Sequence, residues 1–67
     1  MSERLIALPE VLNRTSLSRS SLYERMKESQ FPKPISLGGR RVAWLETEVV
    51  AWIDERINAR PSDEVRA

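Results

Sequence analysis

Three rhythms of apolar residues follow one another along the chain. The first is helical and short. In LPEVLNRT (residues 8–15), Val11 and Leu12 supply an apolar face, Pro9 takes the first-turn position and Glu10 sits near the positive end of the helix dipole. Thr15 and two serines in RTSLS then interrupt the pattern. A second helix is predicted over RSSLYERMKESQ (19–30), with Ser18 as N-cap and Leu22 and Met26 at i and i+4. Its N3 residue is Ser21, so a full capping box is absent, while Leu17 before the cap can pack on Leu22 as a hydrophobic staple.

The second rhythm is alternating. Pro32 pushes Phe31 out of the helical region and leads into extended chain, and Gly38-Gly39 supplies the positive φ of a tight hairpin turn. A two-residue loop at the glycines pairs Leu37 with Arg40, Ser36 with Arg41 and Ile35 with Val42. That register gathers Ile35, Leu37, Arg40, Val42 and Trp44 on one face and sends Ser36, Arg41 and Ala43 to the other. A three-residue loop would instead pair Ile35 with Ala43 and part Ile35 from Val42 and Trp44, so the two-residue register is expected.

The third rhythm is helical again. LETEVVAWIDERINAR (45–60) places Leu45, Val49, Trp52, Ile53 and Ile57 on one side, with Glu46 and Glu48 in the first turn and Arg56 and Arg60 near the end, as the dipole favours. Pro61 is expected to end this helix, leaving a short polar tail over 61–67 after a single domain over 1–60. There is no internal repeat. The order helix, tight turn, helix, hairpin, helix makes the chain mainly α with a small antiparallel β-hairpin, and it suggests a winged helix-turn-helix.

Composition removes most other functions. A 67-residue chain folds with only about 60% of its surface buried, which leaves little room for a deep catalytic cavity. It has no cysteine and no histidine, so disulfides, thiolate metal sites and most acid/base chemistry lose their usual residues. No catalytic residue, metal or cofactor is expected. Asp54 and Glu55 are adjacent on a helix and do not face one another, so they read as a solvated acidic face. No apolar run approaches the roughly 20 residues that span a bilayer, and Glu3 interrupts any signal-type start, so a cytoplasmic, nucleoid-associated protein without a membrane partner is expected.

The net charge of +1 hides a strong asymmetry. Residues 1–17 are balanced, residues 18–43 carry six basic against two acidic side chains for +4, and residues 44–67 carry three against six for −3. A localised positive segment in a nearly neutral domain is the footprint of an anion-binding face.

These residues carry a family resemblance. LSRSSLY at 17–23, FPKPISLGGR at 31–40, Trp44 and EVVAWI at 48–53 resemble the AlpA-type prophage regulatory proteins, and the likeness runs from Arg4 to about Arg60. The resemblance implies a winged-helix fold related to the MerR and excisionase N-terminal domains, and a small DNA-binding regulator. The sequence departs from the family pattern at Ser16 and Ser29, where glycine is common, and at Glu24, where a basic residue is frequent.

On this reading, the helix after Ser18 enters the major groove of double-stranded DNA with Arg19, Ser20 and Tyr23 near base edges and phosphates, and with Lys27 one turn further along. An arginine can grip guanine bidentately, a contact worth about 1–3 kcal/mol of discrimination. Lys33, Arg40 and Arg41 form a positive wing with no acidic residue from Lys33 to Ala43, suited to holding phosphate or reaching the minor groove. Trp44 and Trp52 could stack on bases, but so small a domain needs both as buried area, so they are expected in the core.

Transcription regulation of prophage or mobile-element type is therefore expected, with copies of the chain on adjacent sites and no small-molecule effector. Two other readings use the same residues differently. An excisionase-like architectural factor would bend DNA and direct recombination. An antirepressor-like interaction module would use the apolar and acidic last helix, and its binding would survive charge reversal at Arg40 and Arg41.

Overall fold

The computed structural model describes residues 3–60, which form three helices around a small antiparallel sheet. Their order is β1 (Leu5–Ile6), α1 (Leu8–Thr15), α2 (Arg19–Lys27), β2 (Ile35–Gly38), β3 (Arg41–Leu45) and α3 (Glu46–Ala59). Pro61 and the tail over 61–67 lie outside the described residues. Among the described residues, no helix is long and apolar enough to cross a membrane.

The first helix spans the expected residues, with Pro9 in its first turn and Glu10 near its positive end. It stops where Ser16 turns into the left-handed region at φ 62° and donates its N–H to Leu12 O at 2.8 Å, the αL ending usually made by glycine. Ser18 caps α2 as the sequence predicts, its hydroxyl accepting from Ser21 N–H at 3.1 Å. That helix ends three residues sooner than expected, at Lys27. Gln30 N–H reaches back to Arg25 O at 2.7 Å and Ser29 N–H to Met26 O at 3.1 Å, with Ser29 at φ 60°. This pairing is a Schellman motif, so the helix closes on its own carbonyls before Pro32 can act on it.

The sheet corrects the expected hairpin in two ways. First, it has three strands in the order β1-β3-β2. The short β1 pairs Leu5 with Leu45 and Ile6 with Trp44, and Glu46 N–H donates to Arg4 O at 2.8 Å just beyond the ladder. A two-residue strand has too few positions to show alternation, which is why the sequence pattern does not reveal it.

Second, the hairpin register is the one that separates Ile35 from Trp44. Ile35 pairs with Ala43, Ser36 with Val42 and Gly38 with Arg41, with a bulge between Ser36 and Gly38. The two-residue turn is Gly39-Arg40 rather than Gly38-Gly39, so the glycines divide the work: Gly38 at φ 105° sits in the bulge and Gly39 at φ 59° opens the turn. Matching apolar residues across the turn misleads here because the core does not need β2. Trp44 faces inward beside Ile6 of the neighbouring strand, and β2 is an edge whose Ile35, Leu37 and the opposing Val42 remain partly exposed.

The core is Ile6, Val11, Leu22, Phe31, Trp44 and Val49, one residue from each helix, one each from β1 and β3, and Phe31 from the segment between α2 and β2. Leu12, Leu17, Met26, Trp52 and Ile53 pack around it, whereas Ile57 is exposed and takes no part. Phe31 is the element the sequence leaves as linker and the fold makes core. It lies edge-to-face on Trp52 with ring centroids 4.9 Å apart, and the indoles on either side donate to the flanking backbone: Trp52 Nε1 to Gln30 O at 2.8 Å and Trp44 Nε1 to Pro32 O at 3.0 Å. Trp44 is fully buried as expected; Trp52 is half-buried, with the Arg56 guanidinium 5.4 Å from its ring centroid.

Candidate nucleic-acid interface

Helical geometry sorts the side chains of α2 cleanly. At 3.6 residues per turn, Leu22 and Met26 share the inward face, and burial agrees: Leu22 is fully buried and Met26 half-buried against the core. Arg19, Tyr23 and Lys27 follow one another at i, i+4 and i+8 along the flank beside that inward pair, Ser20 and Glu24 lie on the side opposite it, and all five are exposed. Tyr23 therefore presents its ring outward, 44% exposed. The Ser18 cap fixes the turn that carries Arg19 and Ser20, so the outward face begins at an ordered helix end.

Arg25 belongs to the other side. Although it contributes to the basic segment, it is half-buried, and its Nε is the buried side-chain nitrogen that finds no hydrogen-bond partner among the described residues. The count of central charge thus overstates the outward face by one.

The three wing cations are exposed and differ in how they are held. Lys33 follows Phe31-Pro32, the segment pinned between the two indoles, so its backbone is anchored from one side. Arg40 occupies the turn, not a strand position opposite Leu37 as the expected register has it. Arg41 opens β3 opposite Gly38 and shares the face of Ala43, away from Trp44.

Electrostatics reinforce the division. Among the described residues the ion pairs all belong to Arg14, which meets Glu10 at 2.7 Å within α1 and Glu46 at 3.0 Å at the start of α3. The hydrogen bonds that Arg14 donates to Glu10 first, then to Glu46, raise its pKa. This clasp, missed in the sequence, was half legible as a Glu-to-Arg i,i+4 pair; its long-range half joins the end of α1 to the first residue of α3, a contact no local pattern shows. Arg19, Lys27, Lys33, Arg40 and Arg41 have no carboxylate partner within salt-bridge distance among the described residues. Two sets of exposed cations thus stand without ion-pair partners among the described residues, Arg19 and Lys27 on the capped helix and Lys33, Arg40 and Arg41 on or just before the bulged hairpin.

Residues 4–57 match the family model of the prophage CP4-57 regulatory protein (AlpA). The chain belongs to the AlpA family. Among curated proteins, it is 48% identical over 58 residues to the uncharacterized protein ORF88 of enterobacteria phage P4, covering 87% of this chain and 66% of that one. It is also 30% identical over 59 residues to the DNA-binding transcriptional activator AlpA of Escherichia coli K12, covering 79% of this chain and 84% of that protein. This AlpA-family chain thus spans just under two thirds of the phage relative's length. No solved structure matches it.

Proposed function

We propose that the chain is a sequence-specific DNA-binding transcription regulator of prophage type, a winged helix-turn-helix in which α2 reads the major groove and the β2–β3 hairpin is the wing. The observation that carries this reading is the segregation of charge. Arg19 and Lys27 of α2 and Arg40 and Arg41 of the hairpin are exposed and unpaired among the described residues, while ion pairing there is confined to Arg14. Membership of the AlpA family and the DNA-binding activity named for the Escherichia coli relative point the same way.

Arg19 and Ser20, at the capped start of α2, reach base edges, Tyr23 and Lys27 reach base edge or backbone, and Lys33, Arg40 and Arg41 hold phosphates and fix register. A domain of this size covers a short site, so copies bind side by side on repeated sites, without a small-molecule effector. The protein acts in the cytoplasm, on the nucleoid.

Binding measured against salt tests this. Affinity for a selected duplex falls steeply with salt, and Arg40→Ala/Arg41→Ala lowers the log–log slope by about 2, since each neutralised phosphate contributes about 0.9. Arg19→Ala keeps nonspecific binding but loses preference for the selected sequence. An affinity indifferent to salt and to all three arginines would overturn the assignment.

A further inference from the structure

Leu37 is the most exposed large hydrophobic side chain among the described residues, at 51%. Its neighbours on the wing are apolar too, but Ile35 lies opposite Ala43 and Val42 opposite Ser36, each within a regular pair. Leu37 has no such partner. The bulge makes Leu37 and Gly38 together oppose Arg41, and an extra residue in one strand is the usual device for re-aiming a side chain. Its place in the chain is equally specific: one residue before the glycines, three before Arg40 and four before Arg41, on a hairpin without an acidic residue.

The tip is also thin. A Cβ placed on Gly38 or Gly39 would meet nothing within 4 Å, so the glycines serve backbone conformation and leave open space around the turn. A slender tip with a projecting leucine and two free guanidinium groups matches the minor groove, about 6 Å wide, whose phosphates line both edges. Proteins that enter that groove commonly press an apolar wedge against a base step and bend the duplex.

We propose that Leu37 is a DNA-contacting residue, the apolar wedge of the wing: Arg40 and Arg41 engage the phosphates on either side of the minor groove, and Leu37 packs against a base-pair step, unstacking it and bending the DNA. This rests on the DNA-binding reading above. It adds a residue that neither cap, core nor charge accounts for, and it assigns the wing a preference for deformable pyrimidine–purine steps.

The test uses the full chain and a duplex selected by the wild-type protein from a random pool, labelled at both ends for energy transfer. Wild type shortens the end-to-end distance. Leu37→Ala binds roughly tenfold more weakly, the affinity equivalent of one leucine burial, keeps the wild-type salt slope and leaves the duplex straight. Leu37→Gln, which preserves side-chain length, also fails to bend it, and Leu37→Met retains the bend. Circular dichroism shows all three folded, as expected for a half-exposed site. A Leu37→Ala complex bent like wild type overturns the wedge while leaving the DNA-binding assignment standing. Weakened self-association in sedimentation, with bending unchanged, also overturns it and places Leu37 between copies of the chain. A wild-type protein that selects no duplex removes both.

Discussion

At the scale of single residues, the two serines with positive φ carry a clear energetic consequence. Ser16 and Ser29 close α1 and α2 in the left-handed region, which costs a residue with a Cβ about 1–2 kcal/mol. Both hydrogen-bonded endings are complete, so the sequence places serine where the backbone asks for glycine. Ser16→Gly and Ser29→Gly should each stabilise the fold by about 0.5–1 kcal/mol, the conformational gain being partly offset by glycine's greater freedom when unfolded. In a domain this small, 1 kcal/mol moves the thermal midpoint by about 4–8 °C, so each effect is readable in a melting curve. An unchanged or lowered midpoint would show that the serine conformation carries no strain. Trp44 lies at the opposite extreme. Its ring is fully buried and its Nε1 donates to Pro32 O, so Trp44→Ala should cost about 3–5 kcal/mol and leave the protein largely unfolded at 25 °C. Trp44→Phe keeps most of the apolar area but strands that carbonyl, and should melt early yet cooperatively.

At the scale of elements, the helices were legible except for the early end of α2, and of the sheet the hairpin was legible but not its register or its third strand, for reasons that differ. Helix α1 could be read to its last residue because Pro9, Glu10 and the Thr15-Ser16 break each act locally. The Ser18 cap and the inward pair Leu22 and Met26 were likewise local facts, whereas the exposure of Arg19, on the flank of that pair, is a property of the folded structure. The hairpin register depends on what the core requires from outside the hairpin. Ile6 on an unanticipated strand and Phe31 in an anticipated linker supply the apolar partners that Trp44 was assumed to find in Ile35. The glycine pair correctly marked a tight turn but not its phase, since either glycine can open a turn and the other can occupy a bulge. That phase matters for function: it moves Arg40 into the turn and frees Leu37. Gly38 at φ 105° holds the bulge, so Gly38→Ala should cost about 1–3 kcal/mol and weaken DNA binding beyond what stability explains, because the hairpin re-pairs. Amide exchange across β2 and β3 distinguishes re-pairing from simple strain. On α2, Glu24 stands among the outward cations. Glu24→Gln should raise nonspecific affinity and steepen its salt dependence, and a change in the selected sequence as well would identify Glu24 as a base-reading residue.

At the scale of the whole molecule, the proposed function makes the charge an arrangement for a partner rather than for the fold. The segment from residue 18 to 43 carries +4, and among the described residues its exposed cations have no carboxylate partner, whereas Arg14 gathers Glu10 and Glu46. Unpaired like charges repel across a surface, and salt screens that repulsion with a Debye length of about 10 Å at 0.1 M. The free protein should therefore become modestly more stable as salt is added, although the Arg14 clasp weakens slightly under the same screening. With a cognate duplex present, the sign reverses. Binding to the native state raises the thermal midpoint by mass action, and salt erodes the affinity that produces the rise. Two melting series, with and without DNA, should accordingly converge from opposite directions as salt increases. Arg40→Ala/Arg41→Ala should flatten both, lifting the free protein at low salt and shrinking the stabilisation by DNA. If instead both series fall together with salt, the cations of α2 and the wing are engaged within the fold, and the outward surface is not a polyanion site.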